Sequence, residues 1–286
     1  MNQCIIIGAP RSGTNMLRDV LTGLPRFATW PCDEINLVWR HGNRSAGSDE
    51  LTADKARPEV RTYLHREFDR IARKYDATTV VEKTCANSLR VEFVARAFPD
   101  AKYLFVRRDG IDAAASAMSR WDAPLDVRYT AAKARFVPPR DMPYYGWQFL
   151  KNRLIARKRA GSQQPARVEG WWGPKPNDFE QVRANHPLDE ICLLQWQLCV
   201  ESALRGFATL PDEQVHEISY EDFVRSPEDQ LRSILAFLGH EGAFSPDAVA
   251  GVSAGSVGKG RAALGEPATA RLESLAEVTL RKLGYV

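Results

Sequence analysis

Metal-binding spacing is missing from this chain. Its five cysteines (Cys4, Cys32, Cys85, Cys192, Cys199) form no C-x-x-C pair, and its five histidines (His41, His65, His186, His216, His240) are dispersed. Neither a zinc site nor a disulfide framework is expected, and buried thiols are the simpler reading. Cys192 and Cys199 lie seven apart, a spacing that puts both on one helix face. No apolar run approaches the roughly 20 residues that a spanning helix needs. The first residues enter an apolar run with no basic n-region and no small-residue cleavage site, so a cytoplasmic protein is expected. Excess charge of one sign is absent too: +3 over 286 residues gives no footprint for nucleic acid. The 26% charged and 44% hydrophobic residues are ordinary for a soluble globular chain, and a single domain over 1–286 is expected.

One further absence is chemical. Residues Ile7–Thr14 read Ile-Gly-Ala-Pro-Arg-Ser-Gly-Thr, after the apolar run Cys4–Ile7 and before a helix-period pattern at Met16, Leu17, Val20, Leu21 and Leu24. Gly8 and Gly13 have the spacing of a phosphate loop, whose backbone N–H groups and helix N-terminus attract an anion. The nucleotide-binding lysine is replaced by Thr14, and the magnesium-binding hydroxyl by Asn15. The cation sits within the loop as Arg11, whose planar fork of donors clamps phosphate or sulfate without a metal. No metal requirement is expected.

Further β-like runs occur at Thr78–Val81, Tyr103–Val106 and Val215–Ile218, each followed by a polar turn and a helix-period segment. This alternation predicts an α/β fold of the P-loop NTPase-like kind, a three-layer αβα arrangement with a central parallel sheet. Helices are expected over Leu89–Phe98, through Ala113–Ala117 and over Leu188–Leu210. Ligands in such sheets bind beyond the carboxyl ends of the strands, which singles out Arg11, Lys83, Arg107 and Arg108.

Residues 121–187 break the pattern. From Arg128 to Arg167 there are ten Lys/Arg and one acid, Asp141, so this stretch carries +9 and the rest of the chain −6. Trp121, Tyr129, Phe136, Tyr144, Tyr145, Trp147, Trp171 and Trp172 accompany the bases. Such an insertion suits acceptor binding, with aromatics for sugar rings and bases for an anionic partner. Tyr144–Ala160 has an imperfect amphipathic pattern. It reads either as a solvated helix on the core or as a peripheral contact with an anionic membrane.

The loop residues Pro10-Arg11-Ser12-Gly13-Thr14 match the P-R-S-G-T element of sulfotransferases that use 3′-phosphoadenosine 5′-phosphosulfate (PAPS), and the chain resembles that family over Met1–Met118 and Glu190–Gly239. A second similarity is the strand end Phe105-Val106-Arg107-Arg108, with Ser116 eight residues after Arg108. In the family such an Arg/Ser pair holds the donor's 3′-phosphate. Arg108 fits by spacing, with Arg107 as its rival on the opposite strand face. A third is Ser219-Tyr220-Glu221-Asp222-Phe223 with Pro227, which is similar to the family's YEDL…P element and brings Tyr220 into the donor-binding set.

The resemblance implies roles for further residues. Trp30-Pro31-Cys32-Asp33-Glu34 looks like the region where the tyrosylprotein and glycan branch carries a catalytic glutamate, so Glu34 is the expected base and Asp33 the rival. Val81-Glu82-Lys83-Thr84 lacks the histidine of many cytosolic members, and Lys83 matches the lysine that stabilises the transferring group, with Glu82 structural. The catalytic set is thus Glu34, Arg11 and Lys83. The donor-binding set is Pro10, Arg11, Ser12, Gly13, Thr14, Asn15, Arg108, Ser116 and Tyr220. It is joined by Ser256, Lys259 and Arg261 from a Gly-rich stretch, Gly255–Arg261, read as a flexible loop closing over the 3′ end. The expected acceptor is a hydroxyl of a carbohydrate or glycolipid. The rivals are a P-loop kinase or nucleotidase and a non-catalytic PAPS- or polyanion-binding protein.

Overall fold

The structure is a computed structural model, and it describes residues 1–121 and 171–286. The Tyr144–Ala160 segment and most of the insertion's aromatics and bases lie outside the described residues. Among the described residues five strands run in chain order: β1 (Asn2–Ile7), β2 (Phe27–Ala28), β3 (Thr79–Lys83), β4 (Lys102–Arg107) and β5 (Val215–Ser219). They form one wholly parallel sheet in the order β2-β3-β1-β4-β5. The helices are α1 (Thr14–Thr22), α2 (Asn36–Trp39), α3 (Pro58–Tyr75), α4 (Val91–Ala97), α5 (Gly110–Trp121), α6 (Phe179–Asn185), α7 (Leu188–Phe207), α8 (Tyr220–Arg225), α9 (Pro227–Leu238), α10 (Lys259–Leu264), α11 (Glu266–Leu275) and α12 (Glu277–Lys282).

Strand alternation builds the layers. Ile5, Ile7, Val80, Tyr103 and Phe105 face one apolar cluster together with residues of α3, α4, α5 and α7. Cys4, Ile6, Val81, Leu104 and Val106 face the other, with α1, α8 and α9. The fold is therefore the expected three-layer αβα arrangement around a parallel sheet. Cys192 and Cys199 are both buried on α7, on the first of these faces.

Boundaries differ from the sequence reading where polar residues continue a strand. β3 runs on to Lys83, because Glu82 and Lys83 keep pairing with Ile5 and Ile6. β2, only two residues long, and α3 were not foreseen. α5 extends to Trp121 at one end and begins at Gly110, its first turn capped by Asp109, whose carboxylate accepts from the N–H of Ile111 (2.7 Å) and Asp112 (3.2 Å). The stretch Gly255–Arg261 is not loop throughout: Lys259–Arg261 form the first turn of α10, entered through Gly258 at φ 74°.

The chain order reverses at β1, which has β3 on one side and β4 on the other. That switch point opens a crevice beyond the strand ends. Residues 122–170 are bounded by Trp121 and Trp171, whose rings meet edge to face at 5.2 Å, so the chain leaves and returns at one place.

Candidate active site

The turn after β1 is shaped for close backbone approach. A Cβ on Gly8 would lie 2.7 Å from the Val106 carbonyl oxygen, and one on Gly13 would overlap the Tyr220 ring. Arg11 (φ 67°) and Gly13 (φ 89°) are both left-handed, which turns successive N–H groups toward one concavity. Ser88 Oγ donates to the Gly8 carbonyl at 3.1 Å and holds the turn from below. Pro10 and Thr14 are buried in its walls, and Thr14 opens α1. Ser12 Oγ and Asn15 Oδ1 are buried and have no protein partner, as expected of groups that face a polar ligand.

Arg11 Nε donates to Ser116 Oγ at 2.9 Å, across 105 residues of sequence. Burial lowers the pKa of the Arg11 guanidinium, and the charges of Arg120 and Arg108 lower it further. Arg11 thus carries its charge against two neighbouring arginines, an arrangement that an anion relieves. Arg120 was missed from sequence, although it lies four residues beyond Ser116 and so follows it along one face of α5.

Arg108 and Arg107 diverge as strand alternation requires. Arg107 pairs with Glu217 and donates to the Leu283 carbonyl at 3.3 Å, away from the crevice. Arg108 donates to the carbonyls of Arg11 (2.9 Å) and Ser256 (2.8 Å), and its guanidinium lies 4.5 Å from the Tyr220 ring centroid. Its Nε is buried without a protein partner. Ser116 meets Arg11 rather than Arg108, so the Arg/Ser pair is joined through the loop.

Glu34 and Asp33 part in the same manner. Asp33 Oδ1 pairs with Arg18 at 3.3 Å, whereas Glu34 Oε1 accepts from Lys83 Nζ at 3.1 Å and from the Cys85 N–H at 3.3 Å. The Lys83 side chain is only 3% exposed. Burial works against its charge, yet Cys85 and Glu34 more than offset this and hold its pKa above the usual lysine range. The Cys85 thiol, pushed up to about 12 chiefly by burial, is no nucleophile. An open cleft of about 410 Å³, lined by Arg18, Asp19 and residues 29–33, adjoins the Asp33 side of this loop.

Behind Glu34 runs a buried polar network that sequence reading did not find. Thr84 Oγ1 accepts from the Ile35 N–H (3.2 Å) and donates to Glu82 (2.6 Å), which also accepts from Asn87 Nδ2 (2.9 Å). Arg90 donates to Asn87 Oδ1 (2.9 Å) and Asn36 Oδ1 (2.6 Å), and Asn36 Nδ2 and Arg40 both donate to Asp49. Asp49 in turn exchanges backbone and side-chain hydrogen bonds with Lys175, at the root of the 122–170 excursion. Desolvation drives Glu82 up to about 7 and Arg90 down to about 10, whereas the arginines around Asp49 outweigh its own desolvation and hold it below the usual range.

The late segment reaches the crevice through its backbone. Ser256 contributes its carbonyl, Lys259 is exposed, and Arg261 is paired with Asp109 (2.8 Å) and Glu273. Among the described residues no three His, Cys, Asp or Glu side chains gather as a metal site, and no helix is long and apolar enough to cross a membrane.

A family model described as "Sulfotransferase family" matches residues 4–137 and 172–245. The fold resembles that of the sulfotransferase domain of the Synechococcus PCC 7002 olefin synthase (TM-score 0.51, 16% identity, covering 97% of this chain and 94% of that one). It also resembles a sulfotransferase from Mycobacterium avium (TM-score 0.51, 13% identity, 98% and 76% covered). No curated protein matches the chain significantly.

Proposed function

Because the chain belongs to the sulfotransferase family, we propose that it transfers the sulfuryl group of PAPS to an acceptor hydroxyl, on a carbohydrate or glycolipid. The observation that carries this reading is the meeting of two sites at one sheet edge. The arginine-lined loop after β1 faces the crevice, and the Glu34–Lys83 pair lies beside it, with Lys83 in register with Ile6 of β1. The orphaned donors Ser12 Oγ and Arg108 Nε fit a ligand rich in acceptor oxygens.

In this reading the acceptor oxygen forms a bond to sulfur as the bond from sulfur to the bridging phosphate oxygen breaks, and 3′-phosphoadenosine 5′-phosphate leaves. The Glu34 carboxylate takes the hydroxyl proton. Lys83 and Arg11, with the loop N–H groups, neutralise the charge that grows on the bridging oxygen. Arg108, Ser116 and Tyr220 hold the 3′ end. Thr14 and Asn15 stand where a kinase or nucleotidase needs lysine and a magnesium-binding hydroxyl, which speaks against that rival.

The single domain over 1–286, with 121–187 as its acceptor-binding insertion, belongs to the same proposal. So do a cytoplasmic setting and a peripheral contact of Tyr144–Ala160 with an anionic membrane presenting a lipid-linked glycan. The wide cleft beside Asp33 gives such an acceptor an approach.

Calorimetric titration with 3′-phosphoadenosine 5′-phosphate, with and without Mg²⁺, tests the donor. Metal-independent binding is expected, and a magnesium-dependent ATPase activity without it would favour the kinase reading. Radiolabelled PAPS offered with a panel of neutral and acidic glycans then tests transfer. Donor binding with no transfer to any hydroxyl would leave a non-catalytic binding protein.

A further inference from the structure

We propose that Asp112 is the positioning residue that gives the donor site its selectivity for a 3′-phosphorylated nucleotide, an inference that rests on the PAPS reading above. Asp112 is 3% exposed and sits on α5, four residues after Arg108 and four before Ser116. A buried carboxylate is costly unless its oxygens are satisfied. Here Oδ2 accepts from the Gly258 N–H at 2.6 Å and Oδ1 from the Gly260 N–H at 2.7 Å, and the Arg108 guanidinium stands 3.7 Å away. These are short, charge-assisted bonds.

The late segment is built around that carboxylate. Gly258 takes φ 74°, and a Cβ on Gly260 would lie 2.6 Å from the Asp112 Cα, so both glycines are needed to bring the backbone this close. Two residues earlier, the Ser256 carbonyl accepts from Arg108 at 2.8 Å. Arg108 is therefore fixed at two points, by the phosphate loop through the Arg11 carbonyl and by the late segment through Ser256, and Asp112 locks the second point in place. Its negative charge and burial keep it from touching a phosphate itself. It acts by fixing the orientation in which Arg108 offers its unpartnered Nε.

The role predicts a selective defect. Removing Asp112 loosens Arg108 and residues 256–260, which serve the 3′ end, and spares the loop N–H groups and Arg11, which serve the 5′ end. The experiment compares the affinities of 3′-phosphoadenosine 5′-phosphate and of 5′-AMP by calorimetry in wild type, Asp112→Asn and Gly260→Ala. Asp112→Asn keeps the shape and one acceptor, whereas Gly260→Ala pushes the backbone off an intact carboxylate, so either variant alone suffices if the other does not fold.

In both variants the bisphosphate is expected to weaken by about tenfold or more, as for loss of a charge-assisted hydrogen bond, with 5′-AMP affinity within about threefold of wild type. Faster amide exchange confined to residues 255–262 accompanies it. A parallel loss for both nucleotides marks a merely structural role and overturns the proposal, as does an unchanged preference. A wild-type protein that does not prefer the bisphosphate over 5′-AMP sinks the PAPS reading instead.

Discussion

Lys83 Nζ lies 3.1 Å from Glu34 Oε1, while the neighbouring Asp33 turns to Arg18. Two carboxylates adjacent in sequence thus have different partners. Glu34→Gln leaves Lys83 without its counter-charge and removes the proton acceptor, so sulfuryl transfer is expected to fall by about 10²- to 10⁴-fold. Affinity for 3′-phosphoadenosine 5′-phosphate should be held. Asp33→Asn is expected to transfer within about threefold of wild type, since Asp33 turns away from Lys83 to Arg18. Single-turnover rates with radiolabelled donor check both, and an equal loss in Asp33→Asn would move the base to Asp33.

Arg107 and Arg108 offer a second contrast. Arg108→Lys replaces a fork held by two carbonyls and the Tyr220 ring with a point charge, and about a hundredfold loss of bisphosphate affinity is expected. Arg107→Ala should leave that affinity intact and instead loosen the C-terminal Leu283–Tyr285 segment it holds. Calorimetry separates the two, and a larger affinity loss in Arg107→Ala would reverse the assignment.

The parts of this site that were legible in sequence are those in which chemistry and spacing are local. The loop from Gly8 to Thr14 carries its own turn glycines and arginine, strand alternation puts Arg107 and Arg108 on opposite faces, and the spacing to Ser116 favours Arg108. α3 carries a stripe too, with Val60, Tyr63, Leu64, Phe68 and Ile71 buried at helical spacing, but the sequence reading passes over it. β2 has no such signal: two residues, Phe27 and Ala28, pair with Thr79 and Val80 only because the sheet is already there. Likewise Arg11 meets Ser116, and Asp112 meets Gly258, through tertiary folding across more than a hundred residues, so no local pattern announces either pair. The charge of Arg261 is visible in the sequence, whereas its partners Asp109 and Glu273 are brought to it only by the fold.

The network behind Glu34 predicts a stability effect at a residue that touches no substrate. Asn36 joins Arg90 to Asp49, and Asn36→Ala leaves a buried guanidinium N–H and a carboxylate oxygen each short of a partner. A loss of about 1–3 kcal/mol is expected in urea unfolding at pH 7.5, the range for orphaning buried polar groups. Asp49→Ala should cost more, because it strips the counter-charge from buried Arg90 and Arg40 and releases the Lys175 backbone. Equal stabilities for wild type and both variants would show that the network is slack.

Glu82 gives the protein a pH dependence of known sign. Burial raises its carboxyl from the ordinary 4.5 to about 7 in the folded chain, whereas the unfolded chain keeps the ordinary value. Between those values the folded state holds a proton that the unfolded state has lost. The contribution of this group to stability is therefore fully present below about pH 4.5 and is lost as pH rises through about 7. Its span is at most about 3 kcal/mol, since each tenfold change in proton affinity is worth about 1.36 kcal/mol. Asp49, held below its ordinary value, works in the opposite direction at the acid end, where its stabilisation is lost as pH falls. Glu82→Gln removes the first dependence and keeps a side chain able to meet Thr84 and Asn87. Thermal unfolding of the variant should match wild type near pH 5 and exceed it at pH 8. A wild-type advantage that grows toward pH 8 would mean that the buried carboxylate is ionised and stabilised in place.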